Sequence, residues 1–277
     1  MPGLPIELEH QVAALAVGWN IGSVWAASGG NQSMYAVNVG FAGAQPVTTG
    51  SGLTDPLKTI AAISGLIASG KTLGISFQLS HDFTELARLR RVHRDSEVSP
   101  MFDPSLGRSL VERGFWMSAT NAGGQVVGLQ AFRLDDADPN LAEWVLGWMM
   151  GLYARRREMI IPRGLAPPNH SLSHLVRGHV VYHGELWIDK HSKGCFPVFP
   201  QLGMLLALVK WQPEAIWALT GQAMATRGHM VRMGYGHLEQ SFLTWDWEPD
   251  GAEQAEWIGI ADRRHLEFSI AEMTSGT

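Results

Sequence analysis

Between His179 and Thr220 the chain changes its hydrophobic period twice, and this constrains the fold more than any other stretch. From His179 to Asp189 the residues alternate. Val180, Tyr182, Leu186 and Ile188 fall on one side and His179, His183, Glu185 and Asp189 on the other, since successive strand side chains point to opposite faces. The pattern predicts a strand with one polar face. A loop with Lys193-Gly194 and two prolines follows. Gln201 to Trp211 is then apolar enough for a buried helix, Pro213 stops it, and Ala215 to Thr220 reads as a second strand.

The flanking signals extend this order in both directions. Thr54 and Asp55 offer an N-cap, Pro56 suits a first helical position and Gly70 the position past the end, so Leu57 to Ser69 is read as a helix. Thr72 to Leu79 alternates as a strand, and Ser80 or Asp82 can cap a helix through Phe83, Leu86 and Leu89 to His93. Phe115 to Thr120 and Gln125 to Leu134 flank Asn121-Ala122-Gly123-Gly124, whose residues tolerate the positive φ of a tight hairpin turn. Residues 135–178 are a long connection with a helix from Leu141 to Arg156, closed by the breakers Pro162, Gly164, Pro167 and Pro168. Beyond Thr220, Thr226 can cap a helix to Met233, Gly234 ends it, and Ser241 to Trp247 is the final strand.

Composition bounds the function. The 277 residues are 45% hydrophobic and 17% charged, enough to bury a substantial core. A net charge of -5 and a pI near 6.1 give no basic field for nucleic acid. Cys195 is the single cysteine, which excludes an intrachain disulfide framework. The apolar run Val12 to Ala27 has no basic residue before it, Lys58 being the first, so it does not read as a secretory signal. It is shorter than the ~20 residues that span a bilayer and is interrupted by Gly18, Asn20, Gly22 and Ser23. The expectation is a cytoplasmic protein without stable membrane insertion. Residues 1–70 are read as a Gly-rich apolar extension of unknown role, with a short helix at Gln11 to Trp19 and strands at Ser33 to Phe41 and Gln45 to Thr49. Residues 71–277 form the functional domain, with an insertion at 135–178.

Several local motifs compete for a functional meaning. Gly65 to Thr72 matches the phosphate-binding pattern G-x-x-x-x-G-K-[ST] letter for letter, but it ends a capped helix instead of following a buried strand. His170, His174, His179, His183, His191 and Cys195 are dense enough to suggest a metal, yet there is one cysteine and no H-E-x-x-H, so substrate-site or surface histidines fit better and no metal is expected. Cys195 beside Lys193 could carry a lowered pKa, although a lone cysteine is more often a small apolar core residue. Arg155-Arg156-Arg157 suits a helix C-terminus without further meaning. Trp144, Trp148, Trp187 and Trp217 read as core and cleft lining that can shape an apolar acceptor pocket.

Taken from Lys71, the order strand, helix, two-strand hairpin, long connection, strand, helix, strand, helix, strand resembles the GNAT acyl-CoA-dependent N-acyltransferases. Leu186-Trp187-Ile188-Asp189 with Lys193-Gly194 resembles the family's fourth strand and pyrophosphate loop, and Arg232-Met233-Gly234-Tyr235 its last-helix ending. The resemblance implies an α+β (α/β) class with a mixed, mostly antiparallel central sheet flanked by helices, behind an N-terminal extension. It also implies acetyl-CoA or another acyl-CoA as co-substrate, with the pantetheine arm in the splay between the fourth and fifth strands. The binding residues would be Trp187, Ile188, Lys193, Gly194, Cys195, Gln201, Leu202, Gly203 and Thr220. Glu185 or His183 would be the base that deprotonates an acceptor amine, small-molecule or peptide, and His229 or Tyr235 the acid for the thiolate. The chain departs from the family twice: only the middle glycine of the loop is present, and Met230 stands where many members carry the acidic tyrosine. A long-chain N-acyltransferase fed by acyl-CoA or acyl carrier protein, a non-catalytic binding module of the same fold, and a homodimer remain open alternatives.

Overall fold

A computed structural model describes residues 55–106, 110–156, 161–165, 171–192, 194–249 and 252–275. The expectations placed on residues 1–54, on Arg157, on His170 and on Lys193 lie outside them. The chain order is α1 (Pro56–Thr72), β1 (Ile75–Ser80), α2 (Phe83–Arg94), α3 (Leu110–Arg113), β2 (Gly114–Asn121), β3 (Val126–Ala137), α4 (Leu141–Arg156), β4 (Ile161–Leu165) and α5 (Leu172–Leu175). It continues with β5 (Gly178–Ile188), α6 (Cys195–Trp211), β6 (Ala215–Thr220), α7 (Gln222–Thr226), α8 (His229–Met233), β7 (His237–Trp247), β8 (Ala255–Asp262) and α9 (Arg263–Ser275).

The strands form one eight-stranded sheet in the order β1-β2-β3-β5-β6-β8-β7-β4. Every neighbouring pair is antiparallel except β5 with β6. This is the mixed, mostly antiparallel sheet expected from the sequence, with β4 added at its edge. One core lies between the sheet and α1, α6, α8 and α9, around Phe77, Phe115, Phe132, Phe199 and Tyr235. The second lies on the opposite face beneath α2 and α4, around Phe83, Phe102, Trp217, Phe242 and Trp245.

The local signals act as expected at the start. Asp55 accepts from Lys58 N at 3.0 Å to cap α1, and Asp82 accepts from Thr84 N and Glu85 N to cap α2. At the β2–β3 turn Asn121 Oδ1 accepts from Gly123 N and Gln125 N, and Gly124 takes φ +77°. Residues 56–70, assigned from the sequence to the extension, form most of α1, whose Ala62, Ile63 and Leu66 join the first core. The phosphate-loop letters Gly65 to Thr72 lie within that helix, so their amides close helical turns instead of cradling a ligand.

Three expectations are corrected. The breakers Pro162 and Gly164 do not make a loop: they lie in β4, the edge strand against β7, where a missing N–H is tolerated. The helix that Thr226 is expected to cap starts later, at His229: Thr226 is the last residue of α7, and Gly228, at φ +73°, separates it from α8. Ser241 to Trp247 is not the last strand, since β8 and α9 follow it. No helix among the described residues is long and apolar enough to cross a membrane.

Candidate functional site

β5 and β6 run in parallel but pair only from Val180–Tyr182 to Ala215–Trp217. Past that point β5 continues to Ile188 along β3, while β6 continues to Thr220 along β8. The sheet therefore splits between His183–Ile188 and Ala218–Thr220. Its flanks are apolar and only partly buried: Leu186, Ile188, Phe196 and Met224 border the α6 face and Leu219 the other.

A β-bulge sits on this edge. Ala131 faces Gly184 and Leu129 faces Trp187, so Gln130 opposes two residues, and Glu185 takes φ 56°. The extra residue reverses the alternation. Before it, Val180 and Tyr182 face the α4 core; after it, Leu186 and Ile188 pack against the α6 core. The expected single polar face is thus corrected: His183 and Glu185 lie on opposite sides of the sheet, and both are buried, at 3% and 9% exposure. Glu185 Oε2 pairs with Arg90 Nη1 at 2.5 Å, and its Oε1 accepts from Ser99 N at 2.9 Å. Both carboxylate oxygens are engaged, and they tie the bulge to α2 and to the segment after it.

His183 turns to the α6 face, stacked 4.4 Å from the Phe132 ring, with Nδ1 2.8 Å from Tyr235 Oη. Its Nε2 is buried without a partner. Burial pushes its pKa down to about 3, so the imidazole is neutral at ordinary pH, and burial raises the Tyr235 phenol well above its usual value. The Tyr235 ring lies against Gly259 of β8, where a Cβ would come within 3.2 Å of it. Gly259 in turn pairs with Ala218 of β6. Tyr235 thus crosses under β6 and reaches His183, the first β5 residue beyond the paired segment, so the hydrogen bond closes the apex of the split.

The remaining sequence candidates are dispersed. His229 is at the start of α8, edge-on to Phe196 with ring centroids 5.5 Å apart, away from the apex. Trp187 faces α2, its ring 4.7 Å from that of His93 and tilted 30° to it, in a cleft of about 640 Å³ shared with Asp189 and His191. Thr220 ends β6 at the outer mouth of the split. Gly194 caps α6 with φ +93° against Leu73. Cys195 is fully buried and its thiol is pushed up to about 12 by burial, so it is packing, not a nucleophile. Leu202 and Gly203 are interior: a Cβ on Gly203 would come within 2.5 Å of the Phe132 ring, which places it in the helix–sheet contact and not in a ligand loop. Gln201 donates to Arg232 O at 3.0 Å.

Asp189 closes the turn before α6: its carboxylate accepts from His191 N at 2.8 Å and its carbonyl from Ser192 N. Pro197 and Pro200 supply no N–H, so the start of α6 has fewer donors for a phosphate than an ordinary helix start.

On the α4 face the aromatics gather. Trp148 of the insertion lies 5.7 Å from Tyr182 and 6.2 Å from Trp217, edge-on to both, and Tyr182 is 4.6 Å from Trp217. Tyr153, one helical turn and a half along α4, is edge-on to Trp245 at 6.1 Å. Arg156 fastens the end of α4, bonding Asp103 at 3.0 Å and Val98 O at 2.7 Å. Glu256 of β8 accepts from Trp245 Nε1 at 2.9 Å, and burial raises its carboxyl to about 7. Sequence reading missed Glu256 because it missed β8.

No protein-family model and no curated protein matches the sequence. Among solved structures, similarity is found to NAA60 of Arabidopsis thaliana in complex with acetyl-CoA, 11% identical over 69% of this chain and 99% of that one, at a TM-score of 0.40. FeeM, an N-acyl amino acid synthase from uncultured soil microbes, is 12% identical over 73% and 94% of the two chains, at 0.39. An acetyltransferase of the GNAT family from Staphylococcus aureus Mu50 is 10% identical over 68% and 98%, at 0.36.

Proposed function

We propose that this chain is an acyl-CoA-dependent acyltransferase, of N-acetyltransferase type, in which an acceptor amine attacks the thioester directly. The carrying observation is the split between β5 and β6, flanked by partly buried apolar residues and closed at its apex by the His183–Tyr235 hydrogen bond. A pantetheine arm is a narrow, mostly apolar chain with amide groups. A cleft between parallel strands offers it apolar walls and the backbone groups that strand pairing leaves unused. The bulge at Glu185 leaves such groups out of the β3–β5 ladder at the level where the carbonyl would rest, as an electrostatic stabiliser requires.

Of the residues read from sequence, Tyr235 suits the acid. The 2.8 Å contact takes either direction with the tautomer; in the Nδ1–H tautomer neutral His183 donates to the phenol oxygen, which leaves the phenol proton for the departing thiolate and a donor for the phenolate formed. His183 positions Tyr235. Glu185, held by Arg90 and Ser99, fixes the bulge. Residues 71–275 with α1 make the acyltransferase unit, and the insertion at 135–178 covers the acceptor side through Trp148 and Tyr153. Ile188, Gly194 and Thr220 border the donor cleft.

The two prolines that remove amide donors from the start of α6 favour a second reading of the donor, in which little of the affinity comes from the diphosphate and an acyl carrier protein can replace CoA. Calorimetric titration of the full chain with acetyl-CoA, octanoyl-CoA and acetyl-pantetheine tests both. Micromolar binding of acetyl-CoA, lost on removal of the nucleotide, supports the first; equal binding of the pantetheine compound supports the second. Absence of binding by all three sinks the acyltransferase reading.

A further inference from the structure

The outer end of the α6 face carries side chains that the chemistry at the apex does not use. Gly203 of α6 lies against the Phe132 ring, which is stacked on His183, and Met204 lies against Gly234, the residue before Tyr235. That turn of α6 is therefore level with the apex. Phe196 is seven residues nearer the start of α6, about 10 Å away at the helical rise, and is partly buried on the border of the split. The Arg232 guanidinium stands over its ring, 4.9 Å from the centroid, and the His229 ring meets it edge-on at 5.5 Å. An arm laid outward from the apex along this wall ends at Phe196, Arg232 and His229.

The wall selects an anion. From Lys190 to Pro213 and from Gly221 to Leu238, the two segments that border the cleft on this face, the sequence holds no aspartate or glutamate, although the whole chain has 26 of them against 21 lysines and arginines. Glu253, which reaches α7 from the loop before β8, is already engaged there, accepting from Gln222 N at 2.8 Å. Among the described residues no carboxylate and no hydrogen-bond acceptor takes the exposed Arg232 side chain, while its carbonyl accepts from Gln201 Nε2 and so fixes its backbone to α6. A ring beneath a guanidinium steadies it without a conventional acceptor, so the planar fork that matches phosphate stays open. His229 carries one N–H in either neutral tautomer. The helix start offers less: Phe196, at φ -92° and ψ 129°, is non-helical, the regular turns begin at Pro197, and Pro197 and Pro200 both lack an N–H.

We infer that Arg232, seated on Phe196 and joined by His229, holds the 4′-phosphate at the end of the donor's pantetheine arm, so that side chains of α8 stand in for the amides of the α6 start. The inference rests on the acyltransferase reading. The ligand is a phosphate ester on pantetheine, and this phosphate is common to CoA, where it continues into the nucleotide, and to the arm of a carrier protein, where it continues into a serine. Arg232 and His229 touch the donor far from the thioester, so they set which donor binds and take no proton.

Calorimetric titration of the full chain at pH 7.5 and low ionic strength compares acetyl-pantetheine, acetyl-4′-phosphopantetheine and acetyl-CoA on the wild type, Arg232→Gln, Arg232→Lys and Arg264→Gln. Arg264 is at the start of α9, just after Asp262, which pairs with Ala215 at the end of β6 away from the split, so R264Q makes the same change of net charge elsewhere. The phosphorylated arm should bind the wild type about tenfold or more tightly than acetyl-pantetheine, as a charge-assisted contact implies. That advantage should vanish in R232Q, persist in part in R232K, where a point charge replaces the fork, and be unchanged in R264Q. Acetyl-pantetheine should bind all four proteins alike. Acetyl-CoA binding no tighter than the phosphorylated arm makes the shared phosphate the whole anchor, and tighter binding adds the nucleotide to it; both keep the seat. Equal binding of the two pantetheine compounds by the wild type, an advantage that survives R232Q, or one lost equally in R264Q overturns the inference. Should R232Q fold poorly, R232K and His229→Gln decide, and an advantage undiminished in both overturns it. Tight acetyl-CoA binding untouched by R232Q sinks this inference alone, whereas binding of none of the three compounds sinks the acyltransferase reading and this inference with it.

Discussion

Removing Arg90 should unfold more of this protein's stability than removing the carboxylate it pairs with. The Glu185 side chain is 2% exposed and that of Arg90 14%. In Arg90→Ala the carboxylate keeps only the Ser99 N–H, and a buried charge stripped of its partner typically costs about 3–5 kcal/mol. Arg94, whose guanidinium feels both Glu185 and Arg90, can move toward the vacancy, which puts the expected loss near about 3 kcal/mol. In Glu185→Ala the freed guanidinium still bonds Ser96 Oγ at 3.0 Å and can reach solvent, so the main cost is the Ser99 N–H left without an acceptor, about 2 kcal/mol. The double variant removes both charges and should lose about 2–3 kcal/mol, well short of the sum. Urea unfolding followed by circular dichroism at pH 7.5 reads all three. Losses that add within about 0.5 kcal/mol would refute the reasoning, since independent sites behave so.

The same pair separates bracing from catalysis. If Glu185 were the proton acceptor, Glu185→Gln would abolish turnover while Arg90→Ala merely shifted its pH profile. If it braces the bulge, both variants lower turnover in step with their stability.

Tyr235→Phe should cut acyl transfer by about a hundredfold or more, the lower end of what a positioned acid supplies, while acetyl-CoA binding holds; unchanged kcat in stopped CoA-release assays would remove Tyr235 from the chemistry. Cys195 should react with a disulfide reagent at pH 8 about a thousandfold more slowly than a free thiol, because it is fully buried and its pKa is raised to about 12; rapid labelling of the native protein would contradict the packing. Gly203→Ala should cost about 1–3 kcal/mol through contact with Phe132 and Gln130, read as a lowered urea midpoint, and a neutral result would mean α6 does not lie this close to β3. Glu256 binds its proton more tightly folded than unfolded, since its pKa rises from 4.5 to about 7. The stability it confers is therefore full below pH 4.5 and lost as pH rises through 7, by about 3 kcal/mol for a shift of this size. E256Q should flatten that decline relative to wild type, and parallel pH–stability curves would show that Glu256 is not buried as described.

The order of elements was legible because it is written in periodicity and punctuation. Asp55-Pro56 starts a helix, Asn121 to Gly124 turns a hairpin, and Pro213 separates an apolar helix from an apolar strand. The failures have one physical theme: a local rule overridden by a neighbour in space. Alternation through Glu185 assumes a strand with no extra residue, and nothing in Gly184-Glu185-Leu186 announces a bulge held by an ion pair from α2. Pro162 reads as a breaker unless the strand is known to lie at the edge. Trp257 to Ala261 is apolar enough for a strand, but Gly259 interrupts it, and the glycine is there because Tyr235 and Met230 occupy the place of its side chain. Losing β8 meant losing Glu256. His183 and Tyr235 were both named, yet as alternatives for separate tasks, since residues 52 positions apart give no sign of a shared hydrogen bond.

The split is also where the two faces of the sheet communicate. Here Tyr235 reaches the apex from the α6 face, against Gly259, while Glu256 and the aromatic layer lie on the α4 face. Only at the split, where β5 and β6 stop pairing after Tyr182 and Trp217, is there a passage between the faces. The bulge lies at that opening, and Glu185 points its carboxylate toward α2 while His183, two residues earlier, points toward α6. One extra residue in β5 is thus what lets a single strand serve both sides. Deleting Glu185 removes the extra residue while Leu186 and Ile188 keep their face and their register with β3, so what is lost is the bulge with its unpaired backbone groups and its tie to Arg90. Acyl-CoA binding should fall in a deletion variant that still folds, and retained binding would mean that the bulge does not hold the donor.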